Sequence, residues 1–389
     1  MPTHSPDNPL RIGVLANEVS GDQLAAALIE ALKARQPDIQ FEGMTGPLME
    51  AAGCRSLARM DPVMGLTEIL KHLPGLLKLR RRLIEHFKAA KPDLVIGVDA
   101  PDFNLSLERR LKDVGVRTAH FVCPSVWAWR QGRARKFSCT VDLMLCLFDF
   151  EVDFLSGYGV NAAYVGHPLA DQIPLQAPDT TALRDDIGLD PERQVIALLP
   201  GSRMSEVGRL ADDFLNTALW CLERNPGLQF VAPMVNERVR QAFEARIAAI
   251  APTLPITLLD GRHRDAIGAA DAVLTASGTA TLETLLLKRS MVVAYRLSPF
   301  SYWLIRTFDL LKVPHVAIAN LLTEEPLAPE FLQHDCRPEM LGTALLDLLD
   351  DAEKRRRIAD HYLQIHRRLR CDAADSAAQA ILNLIGRPA

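Results

Sequence analysis

The spacing of short apolar segments restricts the fold of this chain more than any other feature. Runs of β-branched residues and leucine alternate with stretches of helical pattern in both halves of the sequence. This alternation is typical of parallel α/β sheets, in which a helix connects each strand to the next. The predicted strands are residues 11–16, 94–98, 117–122, 143–148, 195–199, 228–232, 256–259, 272–275 and 291–295.

The length of the chain predicts more than one core. Its 389 residues fit two domains of about 150 to 200 residues each. Residues 167–194 contain several prolines and aspartates and lack a sustained apolar period, which predicts a linker. We expect one α/β domain over residues 1–170 and a second over 190–350. Ligands of such domains bind at the carboxyl ends of the strands.

Two segments of the second half end a predicted strand in a glycine turn. They are residues 196–203 (IALLPGSR) and 272–283 (AVLTASGTATLE). In each, hydroxyl residues follow where the next helix exposes unpaired backbone N–H groups, and such a turn attracts phosphate. Arg203 can bridge two phosphate oxygens, and Glu283 can accept hydrogen bonds from a ribose. Neither segment has the Walker or Rossmann spacing, so ordinary capped helix starts remain open beside a nucleotide diphosphate site.

The first half offers a turn and a carboxylate at the ends of two predicted strands. The turn contains Ser20 and Gly21, which are suited either to ligand contact or to a helix start in which Ser20 or Asp22 is the cap. Asp99 and Asp102 end the strand over residues 94–98. A carboxylate in this position suits general-base chemistry. We predict a chemical role for Asp99 and a helix-capping role for Asp102.

A tryptophan-rich loop follows the third predicted strand. Trp127 and Trp129 precede the cations Arg130, Arg133 and Arg135. Aromatic side chains beside cations suit sugar faces and anionic groups, although a packed loop with a solvated basic helix start has the same composition. Both interpretations stay open.

Residues 63–88 combine leucines with a basic run and a break at Pro74-Gly75. Apolar residues beside a basic run suit contact with anionic lipid, whereas burial of one helix face against the sheet is the alternative. The Pro-Gly pair predicts two short helices. The candidate lipid-binding residues are Met64, Leu70, Leu73, Leu76, Arg80 and Arg81.

Charge and cysteine content exclude other classes of protein. The net charge is only −4, from 44 basic and 48 acidic residues, and this small value does not predict binding to nucleic acid. The seven cysteines are scattered without a metal-ligand spacing, so we expect reduced thiols and no metal. The sequence shows neither an apolar signal segment nor a stretch long enough to span a membrane. We expect a cytoplasmic protein that contacts a membrane surface.

Taken in order, these motifs resemble the lipid-A-disaccharide synthases, a family of glycosyltransferases with the GT-B fold. The resemblance covers nearly the whole chain and implies two Rossmann-like parallel-sheet domains facing a central cleft. It also implies that the last helices, about residues 355–389, pack on the first domain. The motifs are residues 18–22 (EVSGD), 63–70 (VMGLTEIL), 99–103 (DAPDF), 124–129 (PSVWAW), 165–169 (VGHPL), 199–203 (LPGSR), 277–283 (SGTATLE) and 313–320 (VPHVAIAN).

This resemblance implies a reaction. The family transfers 2,3-diacylglucosamine from UDP to the 6-hydroxyl of 2,3-diacylglucosamine 1-phosphate, which gives a β-1′,6-linked disaccharide and UDP with inversion. Asp99 matches the family's essential aspartate, which takes the hydroxyl proton or orients the hydroxyl. No metal or other cofactor is implied. The residues implied for the nucleotide sugar are Arg203, Ser277, Gly278, Thr279, Glu283 and Asn320, and we add Ser20 and Gly21.

The lipid substrates imply a use for the remaining motifs. Trp127, Arg130 and the candidate lipid-binding residues would hold the acceptor, its phosphate and its acyl chains. The resemblance implies peripheral association with the cytoplasmic face of the inner membrane, and it leaves a homodimer open. A UDP-N-acetylglucosamine 2-epimerase of the same architecture is the main alternative, but a soluble sugar gives residues 63–88 no function. A non-catalytic sugar-nucleotide or membrane-binding protein on this scaffold is a third alternative, against which Asp99 argues.

Overall fold

The chain forms two compact units. The computed structural model describes residues 9–59, 66–298 and 313–387, and for residues 66–73 it describes the backbone alone. One unit contains the residues up to Asp171 and those from Leu369 onward, and the other contains Gln172–Arg368.

A parallel sheet forms the centre of the first unit. Its strands are β1 (Arg11–Ala16), β2 (Gln40–Thr45), β3 (Cys54–Arg59), β4 (Leu94–Val98), β5 (Thr118–Phe121), β6 (Leu143–Cys146) and β7 (Ala162–Tyr164). In the described part of the unit, their order is β3-β2-β1-β4-β5-β6-β7. The order reverses between β1 and β4, and such a switch point is where open α/β sheets bind ligands.

Helices connect these strands. They are α1 (Val19–Arg35), α2 (Pro47–Ala51), α3 (Leu66–Ala90), α4 (Pro101–Lys112), α5 (Val126–Trp129) and α6 (Asp149–Ser156), with α7 (Pro168–Gln172) at the boundary between the units.

The second unit repeats the parallel architecture. Its strands are β8 (Val195–Leu199), β9 (Gln229–Met234), β10 (Ile256–Asp260), β11 (Ala272–Ala276), β12 (Ser290–Tyr295) and β13 (Glu330–Leu332). The described strands have the order β10-β9-β8-β11-β12-β13, so the switch point lies between β8 and β11. The two sheets confirm the predicted parallel α/β class.

Helices also connect the strands of the second unit. They are α8 (Thr180–Asp186), α9 (Met204–Arg224), α10 (Glu237–Ile250), α11 (His263–Ala269), α12 (Thr279–Leu286), α13 (Ile318–Leu321), α14 (Pro338–Asp350) and α15 (Ala352–Leu369).

The C-terminal helix α16 (Ala373–Ile385) belongs to the core of the first unit. Its buried residues Ile381 and Leu382 lie in the same apolar cluster as strands β1 and β4. The Asp171 carboxylate accepts hydrogen bonds from the amides of Asp372 and Ala373, at 2.9 and 2.7 Å. These amides are otherwise unpaired at a helix start, so Asp171 stabilises the point where the chain enters this unit again.

The chain enters the first unit again at Leu369, later than the expected residue 355. Helix α15 precedes this point and is bonded within the second unit. The Lys288 ammonium lies 2.8 Å from His366 Nδ1 and donates to the carbonyl oxygen of Pro174, also at 2.8 Å. The position of α15 therefore depends on polar contacts far apart in sequence.

Helix α3 is continuous, so the predicted break at Pro74-Gly75 is wrong. Proline inside a helix removes one hydrogen bond and costs about 3 kcal/mol. Leu83, Ile84 and Phe87, in the C-terminal half of the same helix, are buried against the sheet and offset this cost. Within the described ranges, no helix is long and apolar enough to span a bilayer.

The segment predicted as a linker includes helix α8, which packs on the second unit. Arg184 of this helix is buried and donates to the carbonyl oxygens of Ala269 and Pro191, at 2.9 and 3.0 Å. Its guanidinium also lies 2.7 Å from the Asp271 carboxylate. The Asp271 carboxylate accepts the Val195 amide at 2.8 Å, so Arg184 connects the segment to the starts of β8 and β11.

Replacing Arg184 tests this connection. Arg184→Ala leaves a partly buried carboxylate and two carbonyl oxygens without their donor, so we expect the free energy of unfolding to fall by about 3 kcal/mol. Urea denaturation followed by circular dichroism measures the loss. Arg238→Ala, which removes an exposed arginine of the same unit, is the control and should change stability by less than about 0.5 kcal/mol. Equal effects of the two substitutions would contradict the prediction.

Candidate active site

Most of the predicted chemical residues follow the strands that flank the two switch points. Ser20 and Gly21 follow β1, and Asp99 follows β4. In the second unit, Arg203 follows β8 and Ser277 follows β11. The carboxyl ends of such strands are the ligand-binding positions of each sheet.

Asp99 lies in a strained turn at the end of β4. Asp99 and Ala100 both have left-handed backbone conformations, with φ values of 51° and 43°. Such a conformation costs an alanine about 1 kcal/mol or more, and this strain is characteristic of functional sites. No partner for the half-buried Asp99 carboxylate exists among the described residues. The turn therefore presents a carboxylate that is free to accept a proton or a hydrogen bond.

Asp102 lies in the first turn of α4 rather than at its cap, so the predicted capping role is wrong. Ala100 occupies the N-cap position, and its methyl side chain cannot cap the helix. The Asp102 side chain is 94% exposed and lies 3.6 Å from the Arg133 guanidinium. Arg80 of α3 donates to the Asp102 carbonyl oxygen at 3.4 Å. Two cations thus lie beside the turn that contains Asp99.

The two loop tryptophans have different environments. Trp127 donates from Nε1 to Glu151 at 3.1 Å and packs edge-on against Phe150. Burial raises the pKa of Glu151 to about 7. Trp129 is 43% exposed, and the Arg130 guanidinium lies 4.4 Å from its ring. Trp127 is thus held by its surroundings, whereas Trp129 and Arg130 present an aromatic and cationic surface to solvent.

The turn after β1 contains both exposed and buried residues. Ser20 is exposed and Gly21 is buried. The N-cap of α1 is Glu18, so neither Ser20 nor Asp22 caps this helix. The Asp22 carboxylate instead accepts the amides of residues 46, 48 and 49, at 3.0 to 3.1 Å, and stabilises the start of α2. Of the two predicted residues, only Ser20 presents its side chain to solvent.

The described part of the leucine-rich segment lies on α3. Met64 lies outside the described residues, and so do the side chains of Leu70 and Leu73. Leu76 is half-buried, and the adjacent Leu77 is 46% exposed. Arg80 is half-buried and Arg81 is exposed. This part of the helix therefore combines exposed apolar surface with cations.

A buried cluster that the sequence did not reveal lies below the tryptophan loop. Atoms of Cys123, Cys146 and Glu151 that could bind a metal lie within 4.8 Å of one another. The neighbouring Cys146 thiol and burial raise the pKa of Cys123, which keeps its thiol protonated. The Glu151 carboxylate already accepts the amides of Leu147 and Phe148 and the Trp127 indole. We therefore assign the cluster to the core and not to a metal site.

In the second unit, the amides of the first glycine turn are already bonded to a side chain of the helix that follows. The Glu206 carboxylate accepts the amides of Ser202 and Arg203, at 3.0 and 3.2 Å. This arrangement differs from the prediction, in which these amides are open to a phosphate. The Arg203 side chain is exposed and contacts Glu206 only at 3.4 Å. It is therefore the part of this turn that remains free to meet an anion.

The second glycine turn is open. Gly278 has a φ of 146° and precedes α12, and both Gly278 and Thr279 are exposed. Within the described part of the chain, the amides of Thr279 and Ala280 have no hydrogen-bond acceptor. The Ser277 hydroxyl donates to the carbonyl oxygen of Val316 at 2.9 Å. This helix start therefore offers unpaired N–H groups to a negatively charged ligand.

Glu283, one turn into α12, is paired with two residues of α11. His263 Nε2 lies 2.9 Å from its carboxylate, and Arg264 Nε lies 3.5 Å away. The hydrogen bond with Glu283 raises the pKa of His263. No sequence motif indicates His263, because it lies one strand before Glu283 along the chain and meets it only in the folded protein.

Asn320 is buried and fully bonded. Its Nδ2 donates to the Ala328 carbonyl oxygen and to Glu330, both at 2.7 Å, and its Oδ1 accepts the Ala328 amide at 2.9 Å. Glu330 also accepts the amide of Val316, whose carbonyl oxygen accepts the Ser277 hydroxyl. Asn320 is thus linked to Ser277 of the open turn by way of Glu330 and Val316, and its side chain does not face solvent.

Comparison with known proteins identifies the family. The sequence profile described as "Lipid-A-disaccharide synthetase" matches residues 12–381. The chain is 46% identical over 378 residues to the lipid-A-disaccharide synthase of Pseudoalteromonas translucida (strain TAC 125), with 97% of each chain covered. The chain belongs to the lipid-A-disaccharide synthase family. It is therefore a glycosyltransferase of lipid A biosynthesis, as its motifs predict.

Solved structures confirm the GT-B fold of this synthase family member. A putative UDP-N-acetylglucosamine 2-epimerase from Listeria monocytogenes has a TM-score of 0.64 at 14% identity, and 98% of each chain is covered. The UDP-GlcNAc 2-epimerase from Neisseria meningitidis, bound to UDP-GlcNAc, has a TM-score of 0.61 at 12% identity, with 97% of this chain and 100% of that chain covered. At these identities the likeness concerns the fold alone.

In this synthase, the pair of His263 with Glu283 predicts a pH-dependent contribution to stability. The pKa of His263 is raised in the folded state, so the contribution is complete below about pH 6.5 and is lost as pH rises through the raised pKa. We expect His263→Gln to lower the melting temperature at pH 5.5 and to have little effect at pH 8.5. The loss should stay under about 1 kcal/mol because the pair is partly exposed.

Scanning calorimetry of both proteins across this pH range measures the effect. His361→Gln is the control, because His361 Nδ1 lies 2.8 Å from a backbone carbonyl oxygen rather than a carboxylate. A destabilisation by His263→Gln that is independent of pH would contradict the prediction.

Proposed function

We propose that the chain condenses UDP-2,3-diacylglucosamine with 2,3-diacylglucosamine 1-phosphate. The products are a β-1′,6-linked disaccharide 1-phosphate and UDP, formed with inversion at the anomeric carbon. The observation that supports this function most directly is the Asp99 carboxylate in the strained turn after β4, which has no partner among the described residues. A chain of this family has a use for such a group, because the acceptor hydroxyl must lose a proton as it attacks.

In the proposed reaction, the Asp99 carboxylate takes the proton of the acceptor 6-hydroxyl. The hydroxyl oxygen forms the new bond to the anomeric carbon of the donor. The bond between this carbon and the β-phosphate oxygen breaks, and its electron pair leaves with UDP. Attack opposite to the leaving group accounts for inversion, and one base is sufficient for it.

The open turn before α12 is the proposed diphosphate site. As UDP leaves, its diphosphate gains negative charge, which unpaired amides and the positive end of a helix dipole stabilise. The amides of Thr279 and Ala280 supply these donors, and Arg203 supplies a cation at the other strand of the switch point. Glu283 would accept hydrogen bonds from the ribose. The Neisseria meningitidis epimerase, which shares the fold, binds UDP-GlcNAc, and this supports a UDP-sugar donor.

The first unit supplies the proposed acceptor site. Arg80 and Arg133 lie beside the Asp99 turn, and they suit the acceptor's phosphate. Trp129 and Arg130 offer a surface for the sugar. The exposed Leu77 and the cations of α3 suit acyl chains and anionic lipid, so we propose peripheral association with the cytoplasmic face of the inner membrane.

Incubation of the purified protein with both lipids in detergent tests the function. We expect UDP and the disaccharide to form in equal amounts, and nuclear magnetic resonance of the product to show the β linkage. UDP release without a disaccharide would indicate hydrolysis, and an epimerised donor would indicate an isomerase. Either outcome would overturn the proposal.

Replacement of Asp99 tests the proposed base. Asp99→Asn retains the shape of the side chain but cannot take the proton, so we expect kcat to fall about 100- to 10,000-fold. The Kd for UDP, measured by calorimetry, should be unchanged. Asp102→Asn removes a nearby exposed carboxylate and should leave kcat within about twofold. Nearly normal turnover of Asp99→Asn would exclude Asp99 as the base.

Replacement of Arg203 tests the diphosphate site. Loss of a charge-assisted contact predicts that Arg203→Ala weakens UDP binding about 10-fold or more. Arg224→Ala, at the far end of the same helix, is the control and should leave the Kd for UDP unchanged. If both variants bind UDP like the wild type, Arg203 does not contact the diphosphate.

A further inference from the structure

Three buried polar residues lie beneath the Asp99 turn. Asn104 and Glu108 are one helical turn apart on α4, and His120 lies on the neighbouring strand β5. All three side chains are fully buried. Because residues four apart share one face of a helix, Asn104 and Glu108 both point toward the sheet.

Asn104 bonds to the backbone of both strands at the switch point. Its Nδ2 donates to the carbonyl oxygens of Asp99 and Val98, at 2.8 and 3.2 Å. A third contact, at 3.5 Å, reaches the carbonyl oxygen of Leu15 in β1. Only a donor can face three carbonyl oxygens, so the orientation of the amide is determined. These bonds hold the left-handed turn against its strain.

Glu108 holds the residue two positions before Asp99. Its Oε1 accepts the Gly97 amide at 3.1 Å and a hydrogen bond from His120 Nδ1 at 2.9 Å. A Cβ atom at position 97 would lie 2.2 Å from this oxygen, so glycine permits the close approach. Because a carboxylate only accepts, His120 Nδ1 has the proton. In the described part of the chain, His120 Nε2 has no partner, which suits a bare lone pair.

Stability alone does not explain these residues. Burying a carboxylate costs stability. Replacing such a buried charged group by apolar residues of similar volume often leaves stability unchanged or raises it. The buried Glu108 carboxylate has a use if the reaction requires a fixed backbone arrangement around Asp99. A displacement of about 1 Å at a reacting group can reduce a rate about 100-fold.

We propose that Asn104, Glu108 and His120 are positioning residues that set the direction of the Asp99 carboxylate. Asn104 holds the turn itself, Glu108 holds the strand that leads into it, and His120 orients Glu108. The inference depends on the proposed function, because it takes Asp99 as the base. None of the three residues touches a substrate in this assignment.

Glu108→Gln tests the proposal with little change of shape. The amide nitrogen replaces one carboxylate oxygen, and both oxygens lie within 3.1 Å of His120 Nδ1, so an N–H donor would face the His120 proton. We therefore expect kcat to fall about 10- to 100-fold. The KM values for both lipids and the Kd for UDP should stay within about twofold. In the Asp99→Asn background, Glu108→Gln should cause no further loss of kcat, since it acts through Asp99.

A second pair of variants tests the proposal even if Glu108→Gln folds poorly. His120→Asn retains an N–H donor near the Nδ1 position and should keep kcat close to that of the wild type. His120→Leu removes the donor and should reproduce the loss. The control is Asp142→Asn. Asp142 contacts Lys112 at the end of α4 and the Thr118 amide at the start of β5, which are the ends of these elements far from Asp99. This substitution should lower the melting temperature without lowering kcat.

The outcomes separate this inference from the proposed function. Normal kcat in folded Glu108→Gln and His120→Leu would overturn the positioning assignment alone. An equal loss of kcat with or without Asp99 would also overturn it, because the residues would then act independently of the base. If Asp99→Asn has normal turnover, the proposed base is wrong and the inference fails with it.

Discussion

The parallel pairing of β1 with β4, and of β8 with β11, is the constraint on which the other features depend. Leu15 pairs with Gly97 in the first sheet, and Leu199 pairs with Thr275 in the second. At each pairing the strand order reverses, so the connections that follow the two strands diverge. Backbone groups and side chains at this point can therefore stay uncovered by the next helix. Asp99 and the open start of α12 occupy such positions.

The turn after β4 has a backbone conformation that costs stability and fixes the position of Asp99. Asp99 and Ala100 are left-handed, and so is the β-branched Val122 at the end of β5. Such strain persists only where the surroundings determine the backbone. Asn104 and Glu108 do so through buried hydrogen bonds rather than apolar packing. Backbone strain and buried hydrogen-bonding side chains thus lie together around the Asp99 carboxylate.

Features whose whole signal lies in one segment are predictable from the sequence. The apolar runs predicted most of the strands, and the family motifs predicted the enzyme class. Features whose signal is divided among segments are not predictable in this way. Strands β2, β3, β7 and β13 were missed because they are short or mix polar with apolar residues. The contacts of Glu283 with His263, of Asn320 with Glu330 and of Asp22 with the start of α2 each join different elements of the fold.

The sequence by itself determined the parallel α/β class, the family and the positions of glycine turns and carboxylates at strand ends. These features are local, because strand period and turn chemistry are set by neighbouring residues. Only the tertiary structure decided which of these groups are available. It bonds the Ser202 and Arg203 amides to Glu206, leaves those of Thr279 and Ala280 without an acceptor among the described residues, and places Asn104 beneath Asp99. The physical reason is that hydrogen-bond partners and burial depend on the packing of distant segments, which no single segment encodes.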